Sequence, residues 1–255
     1  MIQLVKGRKH LVIGDAHSNP SVSNRRFDWL ANFIEDHRPD VIVDIGDWGD
    51  FDSIGKYAKG TKDAWGLSFK ADAECFRDAS KRAFSGIAKI KGYEPKLFRI
   101  GGNHEEGRIR KFISENPELE GLVSLSALDY GNYRGRYVPF QKIVVIDGVA
   151  YCHYFYDKDS RYPIISARTV LQRKHCSSSW GHSHLRDMAE GTRGDGTRIT
   201  ALNVGCFLDP NQLMGYAGPQ ARDRWWSGLV MKHDVKNGEY DPEFWSIERI
   251  QKVYS

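Results

Sequence analysis

Cysteine is scarce in this 255-residue chain, with four residues at positions 75, 152, 176 and 206. They lie too far apart for a disulfide framework or a CxxC zinc knuckle, so a reducing compartment is expected. No stretch approaches the eighteen uninterrupted apolar residues of a membrane span, which excludes a transmembrane helix. The first residues, Met-Ile-Gln-Leu-Val-Lys-Gly-Arg-Lys, contain no apolar core followed by a cleavage site. An export signal is therefore not expected, and a cytoplasmic location is. Charge is not one-sided either. Lys and Arg number 37 against 33 acidic residues, a net charge of +4. That balance suits an anionic phosphate substrate but falls short of the footprint of a dedicated nucleic-acid binder. Repeats and low-complexity tracts are absent. What is present is an apolar fraction of 40%, enough for a sizeable core. The expectation is one domain over residues 1–255, with a helical and loop excursion at about 51–92.

The chain begins in a β-α-β pattern. His10 to Gly14 and Val41 to Gly46 read as short buried strands. Phe27, Leu30, Ala31 and Ile34 recur between them at helical spacing, with Ser23 or Asn24 as cap and Pro39 beyond the end. Parallel strands with a right-handed crossover follow from that order. Residues 51 to 66 have no clear period and read as a loop. A helix is expected from about Ser68 to Lys91, a strand over Lys96 to Ile100, and short helices over Arg108 to Glu115 and Pro117 to Leu125. The second half turns β-rich. Asp147-Gly148 is a strong two-residue hairpin signal between Lys142–Ile146 and Val149–His153. Pro163 to Lys174 reads as helix, and Cys176 to Trp180 and Arg198 to Val204 as strands. A last hairpin pairs Gly228–Val235 with Tyr240–Ile250 around Lys236-Asn237-Gly238.

Five clusters carry chemistry. Asp15-Ala-His17 ends the first strand, and Gly46-Asp47-Trp-Gly-Asp50 follows the second. Gly102-Asn103-His104-Glu105, His153, and Gly181-His182-Ser-His184 complete the series. Each falls just after a β-like run, so all five could gather at one sheet edge, where ligands of α/β sheets collect. Singly, each has a plain structural alternative: acidic turns after strands, a capped helix start, a core histidine, a strand face with two solvated imidazoles. The ordered set is what carries the reading.

That set resembles the calcineurin-like metallophosphoesterase superfamily, over roughly residues 10 to 250, and in particular its compact bacterial and phage members. The resemblance implies an α/β fold: a four-layer α/β/β/α sandwich of two mixed β-sheets flanked by helices. It implies a metal pair with Asp47 as bridge. Asp15, His17 and His184 would complete the first metal, and Asn103, His153 and His182 the second. Mixed His/Asp/Asn ligation suits Mn²⁺, with Fe, Zn²⁺ or Ni²⁺ as alternatives, better than Ca²⁺ or Mg²⁺. Two carboxylates against two dications would leave a positive site that binds phosphate and acidifies water to an attacking hydroxide. His104 would be the general acid, a task suited to a histidine's titration near neutral pH, with Asp50 orienting it. Two departures are visible. Tyr154 follows His153 where many members place glycine, which implies a bulkier pocket floor. Phe51 follows Asp50 where the protein-phosphatase branch carries arginine, which argues against phosphoprotein specificity.

The remaining histidines, His10, His37, His175 and His233, read as structural or exposed, and the cysteines as small hydrophobes. For Trp225-Trp226, packing is the first reading and stacking on a base the second. Arg108, Arg110, Lys111, Arg134, Arg136, Arg161 and Arg186 lie near the motifs, either holding a second phosphate or forming a solvated surface. Lys56, Lys59 and Lys62, with Tyr57 and Trp65, are candidates for the cleft mouth. The function expected is hydrolysis of a small or nucleotide-like phosphoester, phosphodiester before monoester, in the cytoplasm of a bacterium or of a phage's host. The partner is the phosphoester, a nucleotide or nucleic acid included, and not a membrane. A nuclease and a non-catalytic scaffold of the same fold are the alternatives.

Overall fold

Strand β1 (Arg8–Ile13) alternates its side chains between two apolar layers. Leu11 and Ile13 face helices, while Val12 faces a second sheet. Period-two alternation with both faces apolar is what a buried parallel strand requires. The computed structural model describes residues 7–55, 62, 65–157, 162–209, 212 and 219–255. After β1 come α1 (Arg25–His37), β2 (Val41–Asp44), α2 (Phe69–Phe84), β3 (Lys96–Ile100), α3 (Arg108–Glu115) and β4 (Arg136–Val138). The hairpin β5 (Val144–Ile146) and β6 (Val149–Tyr151) leads to α4 (Ala167–Lys174), β7 (Ser178–Trp180), β8 (Arg186–Thr192) and β9 (Arg198–Val204). The chain closes with α5 (Pro219–Arg222), β10 (Gly228–Lys236), β11 (Glu239–Ser246) and α6 (Ile247–Tyr254).

These strands form two mixed sheets, ordered β11-β10-β1-β2-β3-β4 and β5-β6-β7-β9-β8. Strands β1 to β4 run parallel; β10 lies antiparallel beside β1, and β11 antiparallel beside β10. In the second sheet β6, β7 and β9 are parallel. Val41, Val43, Phe98 and Ile100 pack against Val149, Tyr151, Leu202 and Val204 between the sheets. The residues of α1, α2 and α6 cover the first sheet, and Ala167 and Val170 of α4 cover the second. The architecture is the α/β/β/α sandwich expected from the resemblance. Among the described residues no helix is long and apolar enough to cross a membrane.

Several boundaries differ from the sequence reading. α2 stops at Phe84 rather than near Lys91, because Ser85-Gly86 ends it and only a 3₁₀ turn, Ile87–Lys89, follows. Pro117 opens a single 3₁₀ turn, Pro117–Leu119, which gives way to Gly121 at φ 96°. α4 begins at Ala167, four residues after Pro163, where Asp187 of β8 accepts the Ala167 N–H at 2.7 Å. The last strand turns into helix at Ile247, where the Ser246 hydroxyl accepts the Arg249 N–H. Helical spacing of Ile247 and Ile250, both buried, explains the switch. Asn24 occupies the α1 cap position, but its side chain donates to Cys75 O and Asp78 instead of capping.

At the end of the sandwich away from the motifs, both hairpin turns meet. Asp147 and Gly148 have φ of 49° and 85°, as the primed hairpin turn requires. The Gly238 N–H of the other hairpin donates to Asp147 O at 2.8 Å. Nearby, His10, Tyr151, Ser179 and Lys232 form a buried polar group between the sheets.

Candidate metal centre

The five motifs do not share one sheet edge. Asp15, Asp47 and Asn103 leave the carboxyl ends of β1, β2 and β3, whereas His153 and His182 leave β6 and β7 of the other sheet. The sandwich brings those two edges side by side, and the side chains meet over the seam. Backbone conformation turns them inward. His17, Asp47, His182 and His184 all adopt left-handed φ, at 43°, 51°, 69° and 59°. Such geometry costs about 1–2 kcal/mol per non-glycine residue, and its clustering at one site is the pattern of functional constraint.

Three groups of side chains each place ligand atoms within 4.8 Å of one another: Asp15, His17 and His184; His17, Asp47 and His104; Asp47, His153 and His182. Asp47 stands between the outer two, with Oδ2 3.3 Å from His153 Nε2 and 3.9 Å from His17 Nε2. Asn103 Oδ1 lies 2.8 Å from His153 Nε2. All seven residues of the expected ligand set are therefore gathered in one cluster, five of them buried and Asn103 and His182 half-buried. His104 joins them, its Nδ1 2.8 Å from Asp50 Oδ1. The carboxylate accepts, so Nδ1 carries the proton. The same oxygen lies 3.3 Å from His17 Nδ1, and Asn19 donates to the other Asp50 oxygen at 3.1 Å.

Tight glycines make this possible. A Cβ on Gly102 would lie 2.1 Å from Asp47 Oδ1, and one on Gly181 2.1 Å from Asp15 Oδ1. Asn103–Gly107 forms a π-helical turn closed by the Gly107 N–H to Gly102 O bond at 3.1 Å. It carries the His104 N–H to Asp47 Oδ1 at 2.9 Å. Wide turns of this kind are concentrated at functional sites.

The donor set suits cations. His17 Nε2 and His184 Nε2 face each other at 3.0 Å, a spacing where two lone pairs repel unless a cation or proton lies between them. Asp15 Oδ1 is buried with no hydrogen-bond partner among the described residues. Unsatisfied buried groups of this kind require an explanation, and an ion is one. Burial raises the Asp15 carboxyl to about 6, with the Asp47 charge adding to the rise. Burial also pushes His182 down to about 4 and His184 to about 3, so both are neutral and able to coordinate. Burial would raise Asp47 and lower His153, but their mutual attraction outweighs it. Asp47 is held well below the usual carboxylate range, and His153 rises to about 9.

Other expected residues separate into distinct roles. Phe51 is buried against Phe69 and Phe76. Tyr154 packs its ring 4.6 Å from His182, filling space where the resemblance has glycine. Arg108 donates to Asp50 O at 2.6 Å and pairs with Asp52; Arg110 pairs with Glu106, Lys111 with Glu115 and Arg134 with Glu94. Arg136 lies over Phe98, and Arg186 over Trp226 and Phe244. Of these, Arg108 is half-buried, whereas Arg110, Lys111, Arg134, Arg136 and Arg186 lie at the surface. Lys56, Tyr57, Lys59 and Arg161 lie outside the described residues. His10 is buried and bonded, His37 stacks on Phe33, His175 ends α4 and His233 meets Glu243. Cys152 and Cys206 are buried, whereas Cys75 and Cys176 are only partly so. Asn19 was not foreseen, because its role appears only once the loop after β1 folds across Asp50.

No family model matches the chain. The Gene 54 protein of Mycobacterium phage L5 is 22% identical over 231 residues, covering 88% of each chain. Among solved structures, a single mutant of Vps29 from Entamoeba histolytica aligns over 93% of this chain and 99% of its own, at 12% identity and a TM-score of 0.40. The nuclease MPE from Pseudomonas putida aligns over 92% of this chain and 87% of its own, at 14% identity and a TM-score of 0.38. In the order of its motifs and in the sandwich that joins them, the chain resembles the calcineurin-like metallophosphoesterases.

Proposed function

We propose that this protein is a metal-dependent phosphoesterase with a dinuclear site. The observation that carries the reading is the pair of ligand groups on either side of Asp47, buried at the seam of the two sheets. Asp15, His17 and His184 would hold one ion, Asn103, His153 and His182 the other, and Asp47 would contribute to both. When bound, two divalent ions, Mn²⁺ foremost, supply the Lewis acidity and positive charge that phosphoester hydrolysis needs. The chain's own contribution is geometric and protonic. Two carboxylates among seven ligands leave the site cationic, which favours an anionic phosphoryl group. As water adds its oxygen to phosphorus and the ester P–O bond breaks, His104, oriented by the Asp50 carboxylate through Nδ1–H, passes a proton from its other ring nitrogen to the departing ester oxygen. Asn19 and the backbone around Asp50 keep that carboxylate in place.

Protonation of a poor alkoxide leaving group favours a phosphodiester over an activated monoester. A small or nucleotide-like ester is preferred over a long nucleic acid, because a net charge of +4 falls short of the basic footprint of a dedicated nucleic-acid binder. A scaffold without catalysis would have no need of the intact His104–Asp50 pair. The test is chelation followed by Mn²⁺ return, assayed on bis-aryl phosphate, aryl monophosphate, cyclic nucleotides and single-stranded DNA. Loss and recovery of turnover, greatest on the diester, is expected; a fully active metal-free protein would overturn the mechanism.

A further inference from the structure

Beside the ligand cluster opens a cavity of about 540 Å³, walled by Tyr162, Ile165, His182, Ser183, Arg224 and Trp225. Its volume falls within the range of small-molecule sites, and its walls follow their usual plan of apolar and aromatic surface with a few polar groups. His182 belongs both to this wall and to the ligand group with Asp47 and His153, so cavity and cluster are continuous. The Trp225 ring stands edge-on to His184 with centroids 4.3 Å apart. Tyr162 and Ile165 are 78% and 54% exposed. One exposed apolar side chain is ordinary, but two on the wall of one concavity next to a polar centre mark surface that a ligand covers. The polar groups are placed to orient an occupant. Asn203, fully buried, donates to Ser183 Oγ at 2.6 Å, which directs the serine's own hydrogen elsewhere. Arg224 adds a cation at the rim.

We infer that this cavity receives a planar aromatic group esterified to the phosphate, a nucleobase or an aryl ring, packed against Trp225 with its acceptor edge toward Ser183 and Arg224. The inference rests on the phosphoesterase reading and specifies its substrate class. A bare phosphate or a short alkyl ester would leave the whole wall unused. Stacking on an aromatic side chain is sufficient to tighten binding about tenfold or more.

The test is calorimetric binding to the Mn²⁺-loaded protein of three monoesters: methyl phosphate, phenyl phosphate and thymidine 5′-phosphate. Phenyl phosphate, thymidine 5′-phosphate or both should bind about tenfold or more tighter than methyl phosphate. Ile165→Asp and, separately, Tyr162→Ala should reduce that ratio severalfold while methyl phosphate binds as before. A gain confined to thymidine 5′-phosphate identifies a nucleobase site, and one confined to phenyl phosphate an aryl site. Equal affinity for all three overturns the cavity assignment and leaves the phosphoesterase reading standing. Failure of every phosphate to bind overturns both. A ratio unchanged in both variants also removes the cavity from recognition.

Discussion

His17, Asp47, His182 and His184 hold left-handed backbone conformations that most side chains avoid. Asp and His tolerate this region better than β-branched residues, which is one reason these types recur where the chain must fold sharply over a strand end. Their orientation depends in turn on glycines with no room for a methyl group. Gly181→Ala would place a Cβ 2.1 Å from Asp15 Oδ1. The expected result is loss of bound metal with the fold retained, seen as depleted metal in elemental analysis beside an unchanged far-UV spectrum; full metal content would refute the packing argument. For His104 the structure offers two roles, since it lies both against Asp50 and within ligand distance of His17 and Asp47. As a general acid, His104→Ala keeps its metal and slows esters with poor leaving groups by about 10²–10⁴, with much less effect on activated aryl esters. Metal loss in that variant would make His104 a ligand instead.

At the scale of elements, each strand divides its duties along its length. β1 ends at the candidate metal centre but begins in the polar group between the sheets, where His10 Nε2–H donates to Asp147 at 2.8 Å and Nδ1 accepts from the Tyr151 hydroxyl at 2.8 Å. Burial, aided by Lys232 and opposed by Asp147, lowers His10 to about 4. The unfolded chain binds the proton below pH 6.5 and the folded chain does not. Stability from this group is therefore present above 6.5 and lost as pH falls toward 4, by up to about 3 kcal/mol. Urea midpoints measured from pH 7.5 to 4.5 should fall more steeply for the wild type than for His10→Gln. Parallel profiles would show that His10 does not carry the effect. Element ends were the least legible part of the sequence. Ser85-Gly86 stopped α2 early, and a tertiary acceptor, Asp187, set the start of α4.

For the whole molecule, the cluster joins two sheets that otherwise meet through apolar packing, the polar group around His10 and Lys232, and the contact of their hairpin turns. Ions that bind only the folded chain stabilise it by mass action, about 2.7 kcal/mol at a hundredfold excess over Kd. In a domain of this size that corresponds to a rise of about 5–10 °C in Tm. Mn²⁺ should raise the Tm of chelator-treated protein by such an amount, and Asp47→Asn should abolish the rise. An equal rise in the variant would place the stabilising ion elsewhere.

The sequence by itself determined the order of the Asp, His and Asn motifs and the strands that carry them, because turn residues and period-two burial are local properties. Lys96–Ile100, Arg108–Glu115 and Arg198–Val204 appear in the structure with those same bounds. Tertiary structure alone decided that the motifs occupy the seam of two sheets rather than one edge. It also decided that Asn19 steadies Asp50, that Arg108 pairs with Asp52, and that Trp225 lines a cavity while its neighbour Trp226 packs against Phe244. Each of these depends on contacts between residues far apart in the chain, and such contacts leave no trace in local spacing.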